Sequence, residues 1–203
     1  MGKYVERFNT AERVLHWFVT ASFFILLLSG LGLYSLLFHD YFGLFGGGEG
    51  AILAHKYAGA VFFISSLMLF FNHAKEMFTF DEDDRKWFRS LGGYLSKNPE
   101  HINSGKFNAG QKLFGIFMGI ATLLLGVTGI INWIPESFPR EIVQLSLLVH
   151  GLLFVWFVML MVVHVYLTTI GNPGTLEGML YGNVRRIWAR THHAKWYKEV
   201  GGE

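Results

Sequence analysis

The chain has no cysteine among its 203 residues, which excludes a disulfide framework, thiolate-bound iron–sulfur clusters and thioether-linked c-type haem within it. Charge is scarce as well: charged residues make up 16% of the chain, and its four long apolar segments contain no Asp or Glu. A proton or solute transporter tends to place acidic groups or discontinuous helix pairs at membrane depth, and neither pattern is present. No small-residue cleavage site follows a short apolar core in the opening MGKYVERFNTAERVLHW, and Glu6 stands where a myristoylation signal needs Ser or Thr. The first apolar segment is therefore expected to be a retained helix. No internal repeat is evident, and the net charge of +2 is sorted by loop rather than gathered into a basic domain, so nucleic acid is not an expected partner.

Apolar and aromatic residues are abundant: the chain is 52% hydrophobic and 17% aromatic, with twenty Phe, six Trp and a mean hydropathy of +0.35. Such a composition describes a small integral membrane protein whose rings suit lipid, headgroups or a flat cofactor. Trp17 to Phe38, Ile52 to Phe71, Leu113 to Ile134 and Leu145 to Ile170 each supply the roughly 20 helical residues that cross a hydrocarbon core of about 30 Å. The predicted fold is an all-α, four-transmembrane-helix bundle, a single membrane domain over residues 1–203. Fifteen Lys and Arg fall in the N-terminus, the loop 72–112 and the tail 171–203, against Lys56 and Arg140 on the other side. That imbalance puts both termini and the loop in the cytoplasm and the two short remaining loops outside.

Within the outer loops, the glycine run from Gly46 to Gly50 reads as a turn. In the inner loop, Asp81 to Asp84 precede an amphipathic stretch whose Trp87, Phe88, Leu91 and Leu95 recur at helical spacing, as in a surface helix. The tail mixes Arg185, Arg186, Arg190, Lys195 and Lys198 with Trp188, Trp196 and Tyr197, and is expected to lie on an anionic leaflet.

His150 and His164 stand fourteen residues apart in the fourth segment. Fourteen residues is close to four helical turns, so the two imidazoles share one face, about 21 Å apart along the axis. An imidazole in a lipid-spanning helix is costly unless paired or ligated. By depth, His55 at the outer end of the second span matches His150, and His16 at the inner end of the first matches His164. Each pair comes from two helices, as bis-histidine ligation of haem in a four-helix bundle requires, and two b-type haems without an open coordination position suit electron transfer. Phe154, Phe157 and Met161, on the same face, fill the space between two macrocycles or pack as ordinary core.

Glycines inside the spans, Gly30, Gly59, Gly115, Gly119, Gly126 and Gly129, allow close approach of a macrocycle or a neighbouring helix, and Gly115 with Gly119 reads as helix packing. His73 competes for the inner site but would sit about a turn too deep, and is read as interfacial. His39 and His101 fall in loops, and His192 and His193 are read as solvated.

These residues sit in R-V-L-H-W around His16, I-L-A-H-K around His55, S-L-L-V-H-G at His150 and V-V-H-V-Y at His164. Together with G-K-F-N-A-G-Q-K from Gly105 to Lys112 and W-A-R-T-H-H-A-K-W-Y from Trp188, they make almost the whole chain resemble the cytochrome b (gamma) subunit of membrane-bound respiratory formate dehydrogenases. The wider group includes the cytochrome b subunits of nickel–iron hydrogenases. The resemblance implies an outward-facing molybdenum or tungsten catalytic subunit that oxidises formate, and an iron–sulfur subunit that feeds the outer haem on His55 and His150. Electrons would cross to the inner haem on His16 and His164 and reduce menaquinone or ubiquinone beside Asn108, Gly110, Gln111 and His164. It further implies a bacterial inner-membrane location and assembly of the heterotrimer into a higher oligomer. Asn108 and Gln111 have a competing role, since Asn108 is placed to cap the third span.

Three other readings stay open on sequence alone. One is the cytochrome b subunit of a nickel–iron hydrogenase or a thiosulfate reductase. The second is a haem-free transporter using the histidines as a relay, and the third is a passive membrane anchor.

Overall fold

The computed structural model describes residues 2–90, 92 and 103–201; Leu91, Leu95 and His101 lie outside the described residues. After β1 (Tyr4–Glu6), α1 (Thr10–Tyr34) starts on a reciprocal cap. The Asn9 N–H donates to Glu12 Oε2 at 2.6 Å and the Glu12 N–H to Asn9 Oδ1 at 2.9 Å, which satisfies two otherwise orphaned donors. Ser35 ends the helix: extended at φ −147°, ψ 137°, its hydroxyl accepts from the Leu37 N–H and opens a 3₁₀ helix over Leu36–Phe45. Gly46 at φ 76° and Gly47 at φ 112° then turn the chain into α2 (Gly48–Asn72).

Two short helices follow, α3 (Ala74–Phe78) and α4 (Glu82–Ser90). The long α5 (Ala109–Trp133) and α6 (Arg140–Tyr166) come next, the latter continuing in a π turn over Leu167–Gly171. The chain ends in α7 (Thr175–Tyr181), β2 (Asn183–Arg185), α8 (Arg186–His192) and α9 (Ala194–Glu199).

Among the described residues four helices are long and apolar enough to cross a membrane: Thr10–Tyr34, Gly48–Asn72, Ala109–Trp133 and Arg140–Gly171. Twenty-five residues rise about 37 Å, more than the hydrocarbon core needs. Phe24, Ile64, Val127 and Trp156 on these helices are each more than half exposed, as lipid-facing side chains are. The protein is an integral membrane protein.

The chain divides into two compact units: Met1–Arg13, Phe70–Met118 and Val165–Glu203 form the first, and Val14–Leu69 with Gly119–His164 the second. The first holds, among the described residues, a two-stranded sheet that an all-α reading leaves out. In it β1 and β2 pair antiparallel, with Val5 opposite Val184; strands of three residues are too short to show an alternating pattern in sequence. Around Val184 the tail builds a core of Trp188, Ala189, Trp196 and Tyr197, packed by Val5. The tail indoles expected to lie against an anionic leaflet are instead buried in this core. A second cluster joins Phe8, Met77 and Phe107.

Candidate functional site

Two histidine pairs form in the second unit. The rings of His55 (α2) and His150 (α6) lie 6.4 Å apart, centroid to centroid, at an interplanar angle of 59°. Each imidazole is aimed by a hydroxyl from a third or fourth helix. On α1, Ser29 donates its hydrogen to the Ile25 carbonyl at 2.6 Å, leaving its oxygen to accept from His55 Nδ1–H at 2.9 Å. On α5, Thr128 donates to the Leu124 carbonyl at 2.7 Å and accepts from His150 Nδ1–H at 2.8 Å. Both rings are therefore held as the Nδ1–H tautomer, and among the described residues neither Nε2 has a hydrogen-bond partner. Ser146 anchors the arrangement by donating to the Thr128 carbonyl at 3.0 Å. Behind each ring stands a glycine: a Cβ on Gly30 would lie 3.3 Å from His55 Cε1, and one on Gly129 3.7 Å from His150 Cε1.

His16 (α1) and His164 (α6) make the other pair, again with centroids 6.4 Å apart, at 42°. Thr20 donates to the His16 carbonyl at 2.9 Å, while His16 Nδ1 is buried without a partner among the described residues. An orphaned imidazole nitrogen in an apolar helix layer marks a place prepared for another group. Midway along α6, seven residues from each histidine, Phe157 is buried between the rings of Phe23 and Phe62 at 5.7 and 5.5 Å. Phe154 meets Tyr34 at a tilt of 50°, with centroids 5.9 Å apart.

This donor set fits haem. Two metal–nitrogen bonds of about 2 Å, each extended by about 1 Å from nitrogen to ring centre, put trans imidazole centroids about 6 Å apart. Among the described residues no three His, Cys, Asp or Glu gather to hold a bare metal ion. Each imidazole pair would hold a haem iron, and a macrocycle would supply its remaining ligands.

Of the residues that the resemblance associates with quinone, Asn108, Gly110 and Gln111 belong to the first unit and His164 to the second. The Asn108 N–H donates to Gln111 Oε1 at 3.0 Å and the Gln111 N–H to Asn108 Oδ1 at 2.9 Å, a reciprocal cap at the start of α5. Capping consumes the amide oxygens and leaves both NH₂ groups as donors, so the two roles weighed for this pair do not compete. Gly110 is pressed by Trp87, whose Cη2 would lie 2.5 Å from a Cβ there.

Histidines of the first unit have a different setting. His73, read as interfacial, is buried with Nε2 3.0 Å from Glu12 Oε1, which also meets Lys106 Nζ at 3.1 Å. Burial and the Lys106 ammonium hold the His73 pKa below its ordinary value. His193 corrects a second expectation, for it is 2% exposed rather than solvated. Its Nδ1–H donates to the Gly105 carbonyl at 2.7 Å, and its Nε2 accepts from Arg7 Nη2 at 3.1 Å. Burial, with Arg7 beside it, pushes its pKa well down, so it stays neutral.

Ser29, Thr128 and Ser146 were not singled out in the sequence. A usable signal exists: Ser29 directly precedes Gly30, and Thr128 directly precedes Gly129, each a hydroxyl and a missing side chain at adjacent positions of an apolar helix.

The profile of a family described as prokaryotic cytochrome b561 matches residues 7–182. The cytochrome b556(Fdn) subunit of the nitrate-inducible formate dehydrogenase of Escherichia coli strain K12 is 30% identical over 204 residues, covering 98% of this chain and 93% of its own. The cytochrome b556(fdo) subunit of formate dehydrogenase from the same organism is 29% identical over 199 residues, covering 97% and 93%. The formate dehydrogenase cytochrome b556 subunit of Haemophilus influenzae is 26% identical over 202 residues, covering 96% and 83%.

Proposed function

The chain belongs to the prokaryotic cytochrome b561 family, and from that premise we propose that it is the dihaem membrane subunit of a formate dehydrogenase complex. In this reading it anchors a molybdenum or tungsten catalytic subunit and an iron–sulfur subunit in a bacterial inner membrane and carries electrons to menaquinone or ubiquinone. The observation that carries it is the repeated geometry: two imidazole pairs on different helices, each with centroids 6.4 Å apart.

His55 and His150 hold the outer b-type haem through their unpartnered Nε2 atoms, while Ser29 and Thr128 fix ring orientation and raise ligand basicity. His16 and His164 hold the inner one. When bound, each haem supplies a reversible one-electron iron couple. Phe157, Phe23 and Phe62 keep water out of the layer between the pairs. Quinone is reduced on the cytoplasmic side, where the Asn108 and Gln111 amides donate to a carbonyl, with Gly110 as a further contact. The short outer loops face the iron–sulfur partner, and both termini are cytoplasmic.

The test is a dithionite-reduced spectrum with haem counted per chain. Two bis-histidine b-type haems are expected, and a sample that incorporates none overturns the proposal. In membranes, formate should reduce the haems; reduction by hydrogen but not formate, or reoxidation of the reduced haems by thiosulfate, reassigns the complex.

A further inference from the structure

The two segments that carry the resemblance outside the histidine pairs, Gly105 to Lys112 and Trp188 to Tyr197, meet in the first unit. They meet through three consecutive backbone carbonyls. Ser104 O accepts from the N–H groups of Lys195 and Trp196 at 3.2 and 3.4 Å. Gly105 O accepts from His193 Nδ1–H at 2.7 Å, and Lys106 O from Arg7 Nη2 at 3.0 Å. Arg7 and His193 are also joined to each other at 3.1 Å, so the clamp is one connected unit.

Arg7 is held in turn, its guanidinium over the rings of Trp188 at 4.7 Å and Phe8 at 5.2 Å. Ser104, Arg7 and His193 are all less than a tenth exposed. Two residues beyond the last clamped carbonyl stands Asn108, whose cap with Gln111 sets where both amide NH₂ groups point. Peptide carbonyls in a connecting loop ordinarily take water as a partner; three in a row taken by buried side chains and by the tail leave this loop little freedom.

We infer that His193 and Arg7 are positioning residues for the quinone head group: they clamp the carbonyls of Gly105 and Lys106, next to the Ser104 carbonyl held by the Lys195 and Trp196 N–H groups, and thereby fix the Asn108 and Gln111 donors. The inference rests on the reading of Asn108 and Gln111 as quinone contacts, and it adds that the cytoplasmic tail belongs to that site. Neutral His193 is the form that serves, since it must donate from Nδ1 and accept at Nε2. An asparagine, with an amide donor at the δ position and an amide oxygen beside it, reproduces much of this pattern; leucine reproduces none of it.

The experiment uses the full haem-loaded chain, chemically reduced and reoxidised by a short-chain ubiquinone, with half-saturating concentration and limiting rate read separately. Amide hydrogen exchange over residues 104–111 is measured in parallel. His193→Leu is expected to raise the half-saturating concentration about tenfold and to speed exchange, with the limiting rate within about twofold and the haem spectrum unchanged. His193→Asn is expected to recover to within about threefold of wild type.

Asn108→Ala and Gln111→Ala are the controls: if neither shifts half-saturation, the quinone reading itself has failed. If they shift it while His193→Leu speeds exchange and leaves half-saturation alone, the positioning role is overturned. Should His193→Leu not accumulate with haem, Arg7→Lys carries the same expectation. Loss of haem in both variants also overturns the inference, because it assigns the clamp to folding alone.

Discussion

The two compact units both bury imidazoles and treat them in opposite ways. In the second unit His55 and His150 each give Nδ1–H to a hydroxyl that has already spent its own hydrogen on its helix, and each keeps Nε2 without a hydrogen bond among the described residues. In the first unit His193 has both nitrogens engaged, one on a carbonyl and one on a guanidinium, and His73 sits against a carboxylate. An imidazole with one nitrogen oriented and the other left over is built to ligate; one with both occupied is built to hold chain segments together. Polar satisfaction, more than burial, separates His55 and His150 from His193; His73, whose Nδ1 is buried without a partner among the described residues, follows neither pattern.

The contrast is broken most completely by removing a ligand. His150→Ala is expected to lower haem content from two per chain to one, read by pyridine haemochrome, with His16 and His164 retaining theirs. Loss of both would mean that the pairs are not independent. An equivalent cut in the first unit falls on stability instead. The Lys112 ammonium lies 2.6 Å from Asp84 Oδ2 and both residues are buried, so Lys112→Met strands a carboxylate and should cost about 3–5 kcal/mol, seen as a lower melting temperature with haem per folded chain unchanged.

Proton uptake sharpens the comparison further. His193 has a folded pKa well below 6.5, so below that value the unfolded chain takes a proton that the folded chain refuses. Stability should therefore be level above about pH 6.5 and fall as pH drops, by at most about 1.4 kcal/mol per pH unit from this group. His193→Asn should flatten that part of the melting-temperature profile. Asp81 behaves in the same sense at lower pH: a hydrogen bond from Lys195 holds it down at about 2, so its contribution is complete above about pH 4 and goes only as pH falls toward 2. The smallest effect is back in the second unit. Ser29→Ala or Thr128→Ala removes the acceptor from a ligand's Nδ1–H, lowers ligand basicity and should raise one haem's midpoint potential by up to about 60 mV in a redox titration, leaving the other haem in place.

Much of the site was legible because it lies on regular helices, where spacing in sequence is distance in space. The fourteen residues from His150 to His164 gave a shared face, and the positions of His16 and His55 near opposite ends of their runs gave the partners. Reciprocal caps were equally open to reading, since Asn9 with Glu12, Asp81 with Asp84 and Asn108 with Gln111 all share one three-residue spacing. The tail was not. Alternating basic and aromatic residues look alike on a membrane surface and around a local core, and His193 is buried by segments about ninety and one hundred and ninety residues away in the chain. The hydroxyl partners were missed for another reason: serine and threonine in apolar helices usually just return to their own carbonyls, as Ser22 and Ser65 do here.

The two imidazole pairs match in separation but differ in tilt, 59° against 42°. Were a haem iron held between each pair, imidazole planes nearer to perpendicular would make its oxidised magnetic response more anisotropic. Frozen oxidised protein should then give two overlapping but distinct paramagnetic signals, with the more extreme low-field feature from His55 and His150. Two centres of identical composition would be told apart by the angle at which their helices present a ring.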